Sequence, residues 1–436
     1  MLLSFRTANH RSLYDEGQLL LTPVYPGDDS AQEWEAVPVV GIFGPNASGK
    51  SNVLEALIYM SRMVRASFQD SEPGAGVARH PFSLDPASAR EPSSFVVDLL
   101  LGATDSPDSL FEHKGIRYEY GFSVDGERVA EEWMYSYPHK QRRTIFHRTF
   151  DSYEWGTHTA KTMRDVAEIV ESNVLFLSVA ARSKQTQVRP VYDWFTRVRS
   201  RRYGTSSPRR LGSLPDDPDG SYLTWLTGLL RAADTGIEDA EVIEETEEEF
   251  DVRLSLMGES ARRFARRERT VRFWHRGEHG SFPLAIDDES AGTQSLITLG
   301  RPVFLALRAG ATLVVDEVDA SLHPYVSAHL IRLFQRPETN PRRAQLIFST
   351  HDAALLGRIQ GEEVLRRDQV WFTEKDSCGR TELFSLTEFK PRKGENRELR
   401  YLAGRYGAVP NVTDELIQAA LAQRGVADDV PPDPQT

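Results

Sequence analysis

Val39–Leu57 reads VVGIFGPNASGKSNVLEAL, and this stretch decides the fold. Val39–Phe43 is a continuous apolar run, as a parallel strand buried on both faces requires. Gly44-Pro45-Asn46-Ala47-Ser48-Gly49-Lys50-Ser51 then satisfies G-x-x-x-x-G-K-[ST] at every defined position. Val53, Leu54, Leu57, Ile58 and Val64 follow at helical spacing, so a helix starts near Lys50. Strand, glycine-rich turn and helix in that order make a phosphate loop. The glycines let successive backbone N–H groups point at phosphate oxygens, and the helix adds its positive end. The expectation is that Gly44–Ser51 and the neighbouring Asn52 line the phosphates of ATP. Lys50 would reach the β- and γ-phosphates and Ser51 would bind Mg²⁺.

The chain of 436 residues has room for two or three domains, or one large domain with insertions. Hydrophobic residues make up 40% and charged residues 27%, the balance of an ordinary globular protein. No apolar run approaches a membrane span, and MLLSF followed by Arg6 has no long apolar signal region. A single cysteine, Cys378, excludes an intrachain disulfide and fits a cytoplasmic location. The net charge of −12 gives no overall pull towards nucleic acid. Charge is patchy, however. Glu244, Glu245 and Glu247–Glu249 form an acidic run, and Arg262, Arg263, Arg266, Arg267 and Arg269 form a basic one. A second basic cluster spans Arg197 to Arg210.

The coarse pattern divides the chain into an N-terminal lobe (1–180), a mainly helical insertion (181–280), a C-terminal lobe (281–425) and a disordered tail (426–436). In the first lobe Leu2–Phe5 and Leu19–Thr22 read as short strands. Phe95–Leu101, Ile116–Val124, Arg128–Tyr137 and Thr144–Arg148 read as an antiparallel meander, with Asp125-Gly126 as a hairpin turn. Asn173–Val179 reads as a further buried strand. Tyr222–Ala232 reads as helix, and 205–220, rich in Ser, Pro, Asp and Gly, as a loop. In the last lobe Pro302–Leu307 is helical in character, and Leu313–Val315 and Gln345–Ser349 are buried strands.

Three stretches of the C-terminal lobe carry chemistry. Leu313–Val315 ends in Asp316-Glu317, which would hold Mg²⁺ through water and polarise an attacking water respectively. Gln345–Ser349 leads into Thr350-His351-Asp352. A histidine at the carboxyl end of a parallel strand sits where open α/β sheets bind ligands, placed to donate to a γ-phosphate. Glu289-Ser290-Ala291-Gly292-Thr293-Gln294 precedes an apolar helix; read alone, it is a helix cap.

In this order the pieces resemble an ABC-type ATPase head of the SMC/RecF-like branch. Gly44–Ser51 matches Walker A, Ser290–Thr293 the signature, Leu313–Glu317 Walker B, Val318–Pro324 the D-loop with Asp319, and His351 the switch histidine. About 265 residues separate Lys50 from Asp316, the interrupted layout of ABC heads rather than of hexameric AAA+ proteins. More narrowly, NHRSL (Asn9–Leu13), ESAGTQS (Glu289–Ser295), DEVDASLHP (Asp316–Pro324), STHD (Ser349–Asp352) and GRYGAVP (Gly404–Pro410) resemble AAA-type ATP-binding proteins of the RloA/AbiL kind. The signature departs from many ABC proteins at Ala291 and Thr293, and Gln69 follows the first helix too closely to serve as a Q-loop glutamine.

The resemblance implies an α/β ABC-type head with an antiparallel N-terminal subdomain and a helical insertion. It implies ATP and Mg²⁺ as cofactors and a head-to-head homodimer sandwiching two ATP molecules. Glu317 would be the general base, His351 the γ-phosphate sensor, and Arg11 a basic residue reaching the nucleotide. It also implies a role in antiphage defence beside a separate effector, such as a TOPRIM-like nuclease. Three other readings stay open. A RecF-like DNA ATPase is favoured by the arginine clusters. An OLD-type nuclease would use the strand-like Val370–Asp376. A nucleotide switch would act without hydrolysis.

Overall fold

The computed structural model describes residues 1–24, 35–102, 115–201, 219–258, 269–389 and 395–410, with a few positions between 262 and 267 and between 414 and 421. The loop expected at 205–220 falls almost wholly outside the described residues. So do Arg209, Arg210, Arg263, Arg266 and the tail at 426–436.

Two sheets frame the molecule. The first has seven antiparallel strands in the order β2-β1-β4-β5-β6-β7-β8. Its strands are β1 (Leu2–Ala8), β2 (Gly17–Leu20), β4 (Ser93–Leu101), β5 (Ile116–Val124), β6 (Val129–Tyr137), β7 (Arg143–Thr149) and β8 (Ser152–Trp155). Asp125 closes the β5–β6 hairpin, its Oδ1 accepting the N–H groups of Glu127 and Arg128 at 2.8 Å each. The second sheet has six strands in the order β18-β17-β3-β14-β13-β9. They are β3 (Val39–Phe43), β9 (Arg199–Arg201), β13 (Thr312–Val315), β14 (Gln345–Ser349), β17 (Val370–Lys375) and β18 (Thr381–Ser385). All neighbours are parallel except β17 and β18.

Every residue of β3, β13 and β14 is buried, because both faces of this sheet are covered. Val40, Ile42, Val314 and Ile347 face a core shared with helix α1 (Lys50–Asp70) and the antiparallel sheet. Val39, Phe43, Leu313, Val315 and Phe348 face the opposite core. Period-two alternation thus splits each strand between two cores, and full burial of each such side chain contributes about 1.5–3 kcal/mol. Gln345 ties the sheets together, accepting from Leu2 N at 2.6 Å and donating to Leu2 O at 2.9 Å.

Helices α2 (Lys161–Ala167), α3 (Phe176–Arg182) and α4 (Arg189–Arg197) close the first core. The buried strand expected at Asn173–Val179 is in fact mostly α3. Phe176–Ala181 are all buried, and a helix covered all round has the same unbroken apolar pattern as a buried strand. A tertiary contact fixes the outcome: the buried Glu132 carboxylate accepts from Phe176 N at 2.6 Å and Leu177 N at 2.9 Å, capping the helix.

The 181–280 stretch mixes helix with sheet. Besides α4 and β9 it holds α5 (Ser221–Ala232), α6 (Glu247–Leu256) and the strands β10 (Ile237–Glu244) and β11 (Arg269–Gly277). The last two form a three-stranded antiparallel sheet with β12 (Gly280–Ala285). The acidic and basic runs meet there. Arg253 pairs with Glu245 at 2.7 Å, Arg269 with Glu244 at 3.3 Å and Arg267 with Glu247 at 3.6 Å. Helix α7 (Ala291–Ala309) leads into β13, α8 (Pro324–Gln335) into β14, and α9 (Arg397–Leu402) follows β18. The short strands β15 (Arg358–Ile359) and β16 (Glu362–Glu363) form a separate pair.

Candidate nucleotide-binding site

The carboxyl ends of β3, β13 and β14 lie side by side, and each delivers a polar residue to the same sheet edge. After β3 the chain turns through Gly44 (φ +155°), Ala47 (φ +62°) and Gly49 (φ +109°) before entering α1. Gly49 needs its missing side chain, since a Cβ there would strike Thr381. Polar contacts hold the loop from below. Ser48 Oγ bonds Thr373 Oγ1 at 2.7 Å, and Thr381 Oγ1 donates to Ser48 O at 2.8 Å and shares a hydrogen bond with Ser12 Oγ at 2.7 Å.

Lys50 Nζ donates to the carbonyls of Gly44 at 2.8 Å and Pro45 at 2.9 Å, and lies 3.4 Å from His351 Nδ1. Burial lowers its pKa to about 8, against the opposing pull of Asp316, Glu317 and Asp319. Lys50, Asp316, Glu317 and Asp319 therefore share one field, and His351, 301 positions from Lys50, lies beside it.

Ser51 Oγ donates to Asp316 Oδ1 at 3.0 Å across 265 positions of sequence. The same carboxylate oxygen accepts Ser349 Oγ at 2.5 Å, while Ser349 Oγ accepts the N–H of Glu317 at 2.8 Å. Ser349 is fully buried. Glu317 adopts φ +55°, a left-handed conformation costly for a non-glycine residue and typical of functional sites. Its Oε1 is 3.8 Å from His351 Nε2, with both side chains partly exposed. Ser51 and Asp316 suit Mg²⁺, which takes one or two protein oxygens and completes its shell with phosphate and water. Among the described residues no cluster of three or more His, Cys, Asp or Glu forms a protein-only metal cage. Asp319 Oδ1 is buried without a hydrogen-bond partner among the described residues, a carboxylate oxygen in want of a donor.

Residues 39–357 match the model of a protein family described as "AAA domain, putative AbiEii toxin, Type IV TA system". The chain belongs to this AAA family. No curated protein matches the sequence. Among solved structures the chain is similar to an SmcHead bound to the C-winged helix domain of ScpA, at 12% identity, with TM-score 0.45, covering 89% of this chain and 99% of that one. It is also similar to the SMC head domain from Thermotoga maritima (13% identity, 88% and 98% coverage, TM-score 0.40). A third is an Smc head domain with an extended coiled coil, bound to the C-terminal domain of ScpA derived from Pyrococcus furiosus (10%, 89% and 97%, 0.39).

Within this AAA domain the remaining motif residues lie elsewhere. Ser290 caps α7, its Oγ accepting Thr293 N at 3.2 Å. Ala291 and Gly292 form the first turn, and Gly292 abuts the D-loop: a Cβ there would lie 2.9 Å from Ser321 O. Among the described residues no hydrogen bond joins Ser290–Thr293 to Gly44–Ser51. Arg11 (φ +52°) donates to Glu55 Oε2 at 2.7 Å and lines a surface cleft of ≈ 620 Å³ with Ser12, Asn52, His80 and Lys375. Burial alone would raise the Glu55 pKa, but hydrogen bonds from His10 and Arg11 hold it at about 2. Asn52 Nδ2 donates to Ser12 Oγ at 2.6 Å, so here it braces the loop.

Val370–Lys375, the stretch compared with a nuclease strand, pairs with β3 inside the nucleotide sheet. Glu374 Oε2 accepts Ala408 N at 3.2 Å, and Asp376 Oδ1 accepts the N–H groups of Cys378 and Arg380 at 2.8 Å each. Both carboxylates serve turns. Ser349, Thr373, Thr381 and Ser12 escaped sequence reading as site residues, although Ser349 and Ser12 sat inside recognised motifs. No described helix is long and apolar enough to cross a membrane.

Proposed function

We propose that this chain hydrolyses ATP in a composite site formed by two copies meeting head to head. The observation supporting this most is the Ser51–Asp316 contact, which joins Walker A to Walker B and sets Glu317 and His351 on the same edge. Bound ATP·Mg²⁺ would supply the phosphoryl group and the charge that Lys50, Ser51 and Asp316 neutralise. Glu317 would take a proton from the attacking water, and His351 would donate to the γ-phosphate once its proton is on the phosphate-facing nitrogen. Ser290–Thr293 presents the N-terminus of a 19-residue helix, an anion-binding end, with no hydrogen bond to the phosphate loop of its own chain among the described residues. A second copy would bring it to the γ-phosphate, with Asp319 at the joint.

Glu317→Gln should keep ATP affinity, abolish turnover and trap a dimer in ATP and Mg²⁺. Turnover surviving that substitution would remove Glu317 from the mechanism.

In the cell we place the protein as an ATP-driven regulator or scaffold of a separate effector in a bacterial antiphage system, abortive-infection or restriction-linked. Two points support the placement: the family description names a toxin of a toxin–antitoxin system, and the sequence resembles RloA/AbiL-like proteins. Purification of the native complex should yield an effector protein; full protective activity from this chain alone would contradict the reading. A RecF-like DNA role keeps one observation in its favour, the arginine-bearing edge strand Arg199–Arg201. The pairing of Arg267 and Arg269 with acidic residues weakens the other basic run. Salt-dependent affinity for duplex DNA separates the two.

A further inference from the structure

Glu289, the residue before Ser290, has a side chain only 4% exposed. A buried carboxylate is costly unless bonded. Its Oε1 lies 2.7 Å from His275 Nε2. His275 belongs to β11, the central strand of the three-stranded sheet, facing Ile237 on β10 and Phe282 on β12. A side chain of the insertion is thus bonded to the residue that leads into the signature.

Other contacts make the junction stiff. Gln294 Nε2 donates to the carbonyls of Ile286 and Glu289, both at 3.0 Å, closing the turn between β12 and α7. Helix α5 packs on α7, where a Cβ added at Gly300 would lie 3.1 Å from Leu226 and 3.4 Å from Trp225. At its other side Gly292 sits close to the D-loop, where an added Cβ would lie 2.9 Å from the Ser321 carbonyl oxygen. Sheet, Glu289, Ser290 and D-loop form one continuous packed path, and nothing in the hydrolysis chemistry itself requires a histidine at 275.

We infer that His275 is a positioning residue: its hydrogen bond to Glu289 aims the Ser290–Thr293 segment, and makes closure of the composite site depend on the insertion's sheet. The inference rests on the composite-site reading above. A misaimed signature leaves each head able to bind ATP but slow to close on it, so kcat falls while nucleotide affinity stays.

The test uses the full chain. His275→Ala should leave the Kd of a fluorescent ATP analogue, measured at protein concentrations that keep heads apart, within about twofold, and lower kcat by about tenfold or more. In the Glu317→Gln background it should weaken ATP-dependent dimerisation by a similar factor. His275→Gln, whose amide N–H can donate to the same oxygen, should recover at least about half the lost rate. Wild-type turnover in His275→Ala overturns the inference, and so does a loss that His275→Gln leaves unrestored. Ser290→Arg separates the levels. Normal turnover in Ser290→Arg would refute the composite site itself. An inactive Ser290→Arg beside a normal His275→Ala would refute only the role of His275.

Discussion

Replacing Ser349 by alanine removes one hydroxyl that serves two partners, leaving Asp316 with Ser51 as its side-chain donor. The Asp316 carboxylate loses a donor at 2.5 Å, and the Glu317 N–H loses its acceptor at 2.8 Å. Ser349 is fully buried, so water has no ready route to replace the hydroxyl. A hydrogen bond to a charged group contributes about 1.5–3 kcal/mol and a neutral one about 0.5–1.5 kcal/mol. Part of that loss is felt in both ground and transition states. If about 1.4–2.7 kcal/mol falls on the transition state, through a drifting Asp316 and a relaxed Glu317 backbone, kcat drops about 10- to 100-fold. Steady-state phosphate release gives kcat, a fluorescent ATP analogue gives Kd, and urea melts report any loss of stability. The expected pattern is a large fall in kcat with a smaller change in Kd, because Lys50 and the loop amides are untouched. Ser349→Ala turning over ATP within about twofold of the parent would refute the claim that this hydroxyl joins Walker B to the switch strand.

Two further outcomes follow from buried charge. Lys50 has its pKa depressed to about 8, so its ammonium is lost above that pH; ATP affinity should fall about tenfold per unit beyond pH 8, and calorimetry in buffers of different ionisation heat should show proton uptake on binding. The sign for folding is opposite: between about 8 and the ordinary lysine value the unfolded chain binds more protons at this site, so its contribution to stability rises with pH. Glu132→Ala strands Arg148, which lies 3.8 Å from Glu132 with a side chain 1% exposed, and uncaps α3; denaturant melts should show a loss of about 3–5 kcal/mol, and an unchanged midpoint would remove that pair from the account of the first core.

Much of the nucleotide edge was legible because its determinants are local. A phosphate loop needs glycines at fixed offsets, and a buried parallel strand needs an apolar run, so Val39–Ser51 announces itself. Asp316 and His351 were legible as strand-terminal polar residues, but their meeting with Lys50 and Ser51 depends on β14 lying between β3 and β13, which is a matter of sheet order. The braces Thr373 and Thr381 were not legible, since a threonine in a strand carries no signal of the loop above it. Asn173–Val179 was misread because complete burial erases the difference between periods of 2 and 3.6. The β10–β12 sheet was missed because its strands are mostly polar or exposed, and β12 is exposed throughout.

Mixing two inactive variants tests the composite site most directly. Lys50→Ala lacks the amine proposed to bind the phosphates, and Ser290→Arg blocks the proposed signature; each should hydrolyse ATP at background rate alone. In an equimolar mixture, half the dimers are mixed, and each mixed dimer holds one intact site with Lys50 from one protomer and Ser290 from its partner. Turnover should therefore reappear on mixing, reaching about a quarter of the wild-type rate if random exchange is complete and the sites act independently. No recovery despite demonstrated subunit exchange, or full activity of Ser290→Arg by itself, would contradict the account.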